Sequence, residues 1–266
     1  MKKQVHIFFT ALMFYTRVPC PKNIDHNPDY LNKASRYFPL IGWIVGAIAF
    51  GVYAAASWLW NAEIGMVLSM IASVLVTGAF HEDGFADVCD GFGGGWTKTK
   101  ILTIMKDSAI GAYGAIGLVL LFLLKYMSLV TLAKGDSLLT NYHSLFTLFL
   151  VFITGHSLSR LAAISIVFTH EYSREDATSK SKPIAQQYSW KEVVGALFFG
   201  LLPLLVLMMN HAIIGLVVLP VFLARYFLAR YFQKWIDGYT GDCLGATQQV
   251  CEVIFYLTLL AIWKFI

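Results

Sequence analysis

The chain has 266 residues, of which 58% are hydrophobic and only 14% charged, and its mean hydropathy is +0.64. A water-soluble domain of this length carries about a quarter charged residues, so the composition excludes an ordinary soluble protein and predicts an all-α, polytopic membrane protein. The net charge of +4 is small and dispersed, which argues against a nucleic-acid partner. No linker or low-complexity tract divides the sequence, so residues 1–266 are interpreted as a single integral-membrane domain.

Apolar segments long enough to cross a bilayer follow one another along the chain, since a spanning helix needs about 20 apolar residues. Residues 5–16 are apolar but short, and they predict an interfacial helix ahead of the first span. About seven spans of a transmembrane helical bundle are then predicted, at residues 40–60, 64–80, 109–133, 145–168, 192–209, 212–229 and 251–266. Glycines at the small-xxx-small spacing that lets helices pack closely are Gly42, Gly46, Gly111, Gly114 and Gly117.

Basic residues set the orientation, because cytoplasmic loops of membrane proteins carry an excess of Lys and Arg. With the N-terminus in the cytoplasm, only Lys134 and Lys264 remain on the outer side. The cytoplasmic set is Lys2, Lys3, Arg17, Lys22, Lys33, Arg36, Lys98, Lys100, Lys106, Arg174, Lys180, Lys182, Lys191, Arg225, Arg230 and Lys234. Three long polar loops, at residues 81–108, 169–191 and 230–250, emerge on the same side, so the working surface is predicted to face the cytoplasm.

The segment from His81 to Asp90 places four carboxylates within ten residues at the end of an apolar span. On a helix Asp83, Asp87 and Asp90 share one stripe, whereas Glu82 points about 100° away. Like charges on one stripe repel each other, and a divalent cation offsets that repulsion. Oxygen-only ligands favour Mg²⁺ or Mn²⁺ over zinc, and Mg²⁺ usually shares its shell with substrate phosphates. The motif therefore predicts a magnesium site for a diphosphate, with His81 either as an orienting residue or as a protonatable partner of the acids.

A second polar cluster, Met105–Gly114, is predicted to lie on the same face as the acidic motif. Treated as a helix, it places Asp107 on one stripe with two glycines, so that an acid is followed by a groove that another helix or a ligand can approach. Lys106 is interpreted either as a neutralising partner for a phosphate or as half of an interfacial pair with Asp107.

Charged residues farther along the chain supply candidate partners for the acidic motif. In the segment Asp237–Ala246, glycines beside the acids indicate an irregular backbone, and Asp242 is a candidate to complete the metal shell. Arg160 lies near His156 inside an apolar span, where it pairs either with an acid of the motif or with a substrate phosphate. Lys125, also within a span, is interpreted as a paired or snorkelling residue rather than a catalytic one.

These clusters, in this order, resemble cobalamin synthase, the adenosylcobinamide-GDP ribazoletransferase family of corrinoid assembly. The likeness covers nearly the whole chain, and the acidic segment together with Lys106-Asp107-Ser108 is its most specific part. The family commonly has an apolar residue where Glu82 stands. The matching stretches are Thr16–Pro19, Phe38–Gly42, residues 80–91, Met105–Gly114 and Thr240–Ala246.

The resemblance implies a Mg²⁺-dependent enzyme of the prokaryotic inner membrane. It transfers the adenosylcobinamide phosphate group of adenosylcobinamide-GDP to a hydroxyl of α-ribazole or α-ribazole 5′-phosphate, and GMP leaves. The candidate metal ligands are Asp83, Asp87, Asp90, Asp242 and Glu82. The candidate catalytic residues are Asp83, Asp87, Asp90, Asp107 and Lys106. The candidate substrate-binding residues are Arg17, Arg160, Ser108, Gly241 and His81. Membrane lipid, a second copy of the chain and other corrinoid-pathway enzymes are the further expected partners.

Three rival functions are suggested by parts of the same pattern, and each fits these residues less well. A CDP-alcohol phosphotransferase also carries acids after an Asp-Gly pair, but the arginine expected after the first Asp-Gly-x-x-Ala is here Asp87. An aspartate-rich prenyltransferase requires a doubled acidic pattern that is not clearly present. An ion-coupled transporter predicts carboxylates near mid-span and polar segments on both faces, whereas these acids lie at span ends on one face.

Overall fold

The structure is a computed structural model that describes residues 2–21, 23–24, 27–134, 145–173, 188–209 and 211–265. These residues form eleven α-helices and two short 3₁₀ helices, which confirms the all-α prediction. The helices are α1 (Lys2–Tyr15), α2 (Pro28–Ala34), α3 (Phe38–Leu59), α4 (Ala62–Thr77), α5 (Phe80–Gly94), α6 (Lys98–Ile104), α7 (Ala112–Lys134), α8 (Leu145–Val167), α9 (Trp190–Met208), α10 (Val218–Ile236) and α11 (Gly241–Trp263). Four basic residues used for the orientation lie outside the described ranges, namely Lys22, Arg174, Lys180 and Lys182.

The predicted number of spans is confirmed. Within the described ranges six helical segments are long and apolar enough to cross a membrane, and α4 with α5 forms a bent pair that supplies a seventh if counted as one span. The short helix expected at the N-terminus is α1, with 14 residues. Two boundaries differ from the predicted spans 212–229 and 251–266. α10 continues to Ile236, and α11 already begins at Gly241. Polar side chains do not interrupt the backbone hydrogen bonds of a helix, so hydropathy alone placed these ends too far inside the apolar segments.

The polar segment after α4 contains two helices, α5 and α6, so residues 81–108 are not one long loop. α4 ends where Gly78 and Ala79 both adopt positive φ, at 65° and 58°. α5 then leaves at an angle of 89° to α4. The bend turns the acidic helix away from the direction of the span, so its carboxylates do not have to continue along an apolar path.

The core of the bundle is built around α8. In the most apolar stretch of α8, 94% of the residues are buried, against 33% in the corresponding stretches of α7 and α9. α3 packs closely along α8, because a Cβ added at Gly42 would lie 2.5 Å from the carbonyl oxygen of His156. One turn later, a Cβ at Gly46 would lie 2.9 Å from the carbonyl oxygen of Phe152. The close helix packing predicted from the glycine spacing in α3 is therefore confirmed.

The junction between α10 and α11 is shorter than expected. Asp237 ends α10 with a φ of 58°, and Thr240 caps α11 by accepting a hydrogen bond from the backbone N–H of Cys243 at 3.3 Å. Gly241 is already the first residue of α11. The irregular backbone predicted around the glycines is thus confined to residues 237–240, and the acid that follows is presented by the first turn of a helix.

Candidate active site

A cavity of about 480 Å³ lies between α5 and the start of α7, and carboxylates line it. Asp83 and Asp87 reach it from successive turns of α5, and Asp107 reaches it from the segment after α6. Asp83 is exposed and Asp87 is half-buried. The other chemically active side chains on its wall are Glu82, Lys106 and Ser108. We call this space the carboxylate cavity; it brings together the most specific residues of the sequence motif.

The position of the acids on α5 follows from the helix itself. The segment is helical from Phe80 to Gly94, so the one-turn spacing predicted for Asp83 and Asp87 is confirmed. Glu82 and Asp83 lie in the first turn, where the partial positive charge of the helix N-terminus favours carboxylates. The fold therefore offsets part of the repulsion among the acids before any ligand binds.

The segment between α6 and α7 carries Lys106, Asp107 and Ser108 to the wall of the cavity. Its backbone is irregular, and the carboxylate of Asp107 accepts a hydrogen bond from the N–H of Ala109 at 3.1 Å. The predicted helical stripe through Asp107 and the following glycines is therefore wrong, because α7 begins only at Ala112. A tight turn at this point lets three consecutive polar residues face the same cavity, which a helix would not allow.

Asp90 lies on the acidic stripe, but its carboxylate is held by backbone groups. Its two oxygens accept hydrogen bonds from the N–H groups of Gly111, at 2.7 Å, and Gly114, at 2.9 Å. These donors belong to the start of α7, where helix N–H groups have no partner within the helix. Asp90 therefore fixes the start of α7 against α5, and it does not line the carboxylate cavity.

Asp242 lies beside α5 on the side of α11. A Cβ added at Gly84 would lie 2.9 Å from the Cα of Asp242, so only glycine permits this approach of the two helices. The Thr240 hydroxyl donates to a carboxylate oxygen of Asp242 at 3.2 Å. Asp242 and the neighbouring Gly241 are thus next to the acidic helix, but neither lines the carboxylate cavity.

The five candidate metal ligands do not form one cluster. Among the described residues no group of three or more His, Cys, Asp or Glu side chains is arranged to hold a metal ion. The donor set on the cavity wall nevertheless fits magnesium, since Asp83 and Asp87 both carry oxygen ligands and line the same open cavity. Mg²⁺ is usually bound by one or two carboxylates, with waters and substrate phosphates completing its shell. The structure fits a magnesium site shared with substrate rather than a cage made by protein alone.

A separate group of polar and charged side chains is buried inside the bundle. We call it the buried charge network, and it consists of Glu82, Lys125, His156, Arg160, Gln248, Gln249 and Glu252. Glu252 is its centre: its carboxylate lies 3.2 Å from Nζ of Lys125 and accepts hydrogen bonds from Gln248 at 2.7 Å and from the hydroxyl of Tyr256 at 3.1 Å. The interpretation of Lys125 as a paired residue is supported by this contact.

The network reaches the carboxylate cavity at Glu82. Nε2 of Gln249 donates to Oε1 of Glu82 at 2.8 Å, and Oε1 of Gln249 accepts from Lys125 at 2.8 Å. Gln248, Gln249 and Glu252 are not among the site residues predicted from the sequence. The available signal was the spacing of Gln248 and Glu252, which lie one helical turn apart in an otherwise apolar helix.

Besides Gly241, three candidate substrate-binding residues lie away from the cavity wall. Arg160 is fully buried, and its Nη1 donates to the carbonyl oxygen of His156 at 2.9 Å. His81 is also buried, with its ring stacked on Phe38 at a centroid distance of 5.7 Å. Arg17 is exposed and packs beside the bend between α4 and α5. Arg17 alone of the three is therefore accessible to a ligand from the surface.

Comparisons with known proteins agree with one another. The CobS family profile, described as cobalamin-5-phosphate synthase, matches residues 7–260. A curated adenosylcobinamide-GDP ribazoletransferase of Shewanella amazonensis is 45% identical, covering 99% of this chain and 98% of that protein. Proteins of the same name from Shewanella halifaxensis and Shewanella frigidimarina are 47% and 45% identical, each covering at least 97% of this chain and 96% of its relative. No solved structure matches the chain.

Proposed function

The chain belongs to the CobS family of adenosylcobinamide-GDP ribazoletransferases, and from this membership we propose that the carboxylate cavity is its catalytic centre. It is a transferase of cobalamin biosynthesis and a multi-span membrane protein of a bacterial family. One observation carries the proposal: Asp83 and Asp87 open on the same cavity as the consecutive residues Lys106, Asp107 and Ser108. We treat residues 1–266 as one catalytic domain.

The reaction joins a hydroxyl of α-ribazole, or of its 5′-phosphate, to the phosphorus that carries cobinamide. The new bond forms between the hydroxyl oxygen and that phosphorus, the bond from phosphorus to the bridging oxygen breaks, and GMP leaves with the bridging oxygen. The protein has to bind the diphosphate, stabilise the charge that grows on the leaving group, and accept one proton from the hydroxyl.

Asp83 and Asp87 are the residues assigned to hold Mg²⁺, because both present oxygen ligands to the cavity. When bound, the metal ion would neutralise part of the negative charge of the diphosphate. Lys106 is assigned to a phosphate oxygen, and Arg17, exposed near the bend, is a further phosphate contact. Ser108 supplies a hydroxyl on the same wall as Lys106 for orienting the substrate.

Asp107 is assigned as the general base. It lines the cavity from the segment between α6 and α7, so it could accept the proton while Asp83 and Asp87 hold the metal ion. Asp90 is assigned a positioning role, because both of its oxygens already accept backbone hydrogen bonds. Asp242 remains a candidate to contact the metal or a phosphate from the side of α11, and Gly241 accompanies it at the start of that helix.

Glu82, Arg160 and His81 are assigned to support the site from inside the bundle. Glu82 joins the wall of the cavity to the buried charge network through Gln249. Arg160 and His81 are both buried, which disfavours direct contact with a water-soluble substrate. Their proposed effect on the reaction is to hold the start of α5 in position.

The distribution of basic residues supports an orientation with the active site on the cytoplasmic face of the inner membrane. Both substrates are large and polar, so the site must open to water. Membrane lipid surrounds the spans, and we propose no nucleic-acid partner. Association with a second copy or with other corrinoid-pathway enzymes is a hypothesis that pull-down and size measurements in detergent test.

A reconstituted reaction tests the proposal. Protein purified in detergent receives Mg²⁺, adenosylcobinamide-GDP and α-ribazole, and the release of GMP is followed together with the corrinoid product. We expect GMP and product to appear in equal amounts, to stop with a chelator and to resume with added Mg²⁺. Absence of GMP release by folded protein with metal present counts against the assigned activity. Release that a chelator does not affect would remove only the magnesium assignment.

A further inference from the structure

A second cavity opens at the end of α8, and its walls are largely aromatic. It has a volume of about 470 Å³, and we call it the aromatic cavity. The residues that matter for its chemistry are Phe168, His170, Glu171, Tyr172, Tyr188 and Tyr239. The reaction steps described above use none of them.

The aromatic walls are fixed by backbone and ring contacts. The N–H of Tyr239 donates to the carbonyl oxygen of Glu171 at 3.0 Å, which ties the α10–α11 junction to the segment after α8. The rings of Tyr172 and Tyr239 meet edge to face with centroids 5.6 Å apart. On the other wall the Tyr188 hydroxyl donates to the carbonyl oxygen of Phe168 at 2.7 Å, and the two rings lie 5.0 Å apart. These contacts hold four aromatic side chains in place around the cavity.

Two polar groups beside the cavity, His170 and Tyr239, have shifted pKa values. Burial, followed by the charge of Arg225, lowers the pKa of His170, so its ring is neutral at neutral pH and has one N–H donor and one acceptor. Burial raises the pKa of the Tyr239 hydroxyl, which therefore keeps its proton. Glu171 is exposed, and among the described residues that line this cavity it alone carries a carboxylate.

The aromatic cavity is connected to the acidic helix by a short piece of chain. Tyr239 precedes Asp242 by three residues, which span at most about 11 Å. The backbone of Asp242 in turn packs against Gly84 of α5. The carboxylate cavity thus lies on the α7 side of the acidic helix, and the aromatic cavity lies beyond it on the α11 side.

The ligand class follows from Glu171. A carboxylate repels phosphate but matches a flat ring that presents two neighbouring N–H donors, as guanine does with N1–H and its 2-amino group. The base of α-ribazole has no N–H donor, so it cannot donate a hydrogen bond to this carboxylate. Aromatic side chains offer stacking to any base, so they add affinity without distinguishing the two.

We propose that the aromatic cavity binds the guanine base of the GDP-activated substrate, with Glu171 accepting hydrogen bonds from N1–H and the 2-amino group. This assignment rests on the proposed function, because it takes the GDP-linked corrinoid as the substrate. The diphosphate then extends from the cavity past Asp242 towards the acids of α5. Glu171 is a specificity-determining residue in this arrangement, and it takes no part in the transfer of the phosphate group.

Binding of nucleotides to the full chain in detergent provides the test. Calorimetry measures GMP against IMP, which lacks the 2-amino group, for the wild type, Glu171→Gln and Glu171→Asp. Asp29→Asn is the matched control, because Asp29 is an exposed acid on α2. We expect the wild type to prefer GMP about 10-fold, the size of one charged hydrogen bond. Glu171→Gln should lose most of this preference, Glu171→Asp should keep part of it, and the control should match the wild type.

The outcomes separate the guanine site from the assigned activity. GMP binding with the same preference in the wild type and in folded Glu171→Gln overturns the guanine site, even if turnover is normal. Weaker binding of α-ribazole, with unchanged binding of GMP, in the same variant also overturns it. If Glu171→Gln does not fold, Tyr188→Ala replaces it and must weaken GMP binding for the proposal to stand. A Glu171-dependent preference for GMP in a protein without turnover supports the site and counts against the proposed function.

Discussion

The carboxylate cavity and the buried charge network meet at Glu82, yet their charged side chains differ in exposure and in pairing. In the cavity, Asp83 is exposed and shares the wall with two further aspartates. In the network, the side chains of Lys125 and Glu252 are 4% and 2% exposed and lie 3.2 Å apart. Opposite charges are paired inside the bundle, whereas the acids outnumber the lysine on the cavity wall.

This difference separates a structural cluster from a site that needs a ligand. Buried charges are tolerated only when they are paired and hydrogen-bonded, so a paired cluster fixes which helices pack together but offers no free binding capacity. Glu82 and three aspartates outnumber Lys106 on the cavity wall, and this excess of negative charge favours the binding of a cation. The cavity is therefore assigned to chemistry and the network to support, and the following variants test that division.

The largest effect is expected at the acids of the cavity. Asp83→Asn and Asp87→Asn should each lower kcat about 10²–10⁴-fold, the range for loss of a positioned catalytic group, because the amide neither binds a metal well nor neutralises charge. Thermal unfolding should change little, since neither carboxylate is buried. GMP release and unfolding in detergent are the two measurements. Near-normal turnover by either variant removes that residue from the proposed metal site.

The next effect is on stability and concerns the network. Glu252→Gln or Lys125→Met alone should cost about 3–5 kcal/mol, because each leaves an unpaired charge inside the bundle. The double variant should recover part of this loss, because both charges are then absent. Chemical denaturation of the three variants measures the difference. If the single variants unfold like the wild type, the network is not a paired structural cluster.

Close packing around His156 gives a smaller effect. Gly42→Ala places a methyl group 2.5 Å from the carbonyl oxygen of His156, which also accepts the hydrogen bond of Arg160. We expect a loss of about 1–3 kcal/mol, as for other overpacked interiors. Gly51→Ala is the matched control in the same helix, because a Cβ there meets nothing within 4 Å. Equal unfolding of the two variants would contradict the close approach of α3 to α8.

The smallest effect is expected for substitutions of Asp90. They test whether this residue belongs to the metal site or only holds the start of α7. Removing its carboxylate with Asp90→Ala should cost about 1 kcal/mol, comparable to loss of a helix cap, because two N–H groups at the start of α7 lose their acceptor. Asp90→Asn should cost less, since the amide keeps one oxygen. Unfolding and GMP release are measured side by side. Loss of activity in Asp90→Asn as deep as in Asp83→Asn, with unchanged stability, would return Asp90 to the metal site.

The sequence by itself determined the membrane bundle, the acidic helix and the family. Hydropathy over segments of about 20 residues is a local property, so the number of spans follows without any tertiary contact. The one-turn spacing of Asp83 and Asp87 is local as well, because both lie on α5. The same holds for the close-packing glycines of α3, whose spacing alone indicates a helix interface.

Only the tertiary structure decided which polar residues meet. Asp107 lines the carboxylate cavity because a turn, and not a continuous helix, joins α6 to α7. The carboxylate of Asp90 instead accepts a hydrogen bond at the start of α7. Lys125 and Glu252 stand on different helices, and neither has a charged neighbour along its own helix that would reveal the pair. Pairing between distant segments depends on how helices cross, and hydropathy and spacing carry no information about it.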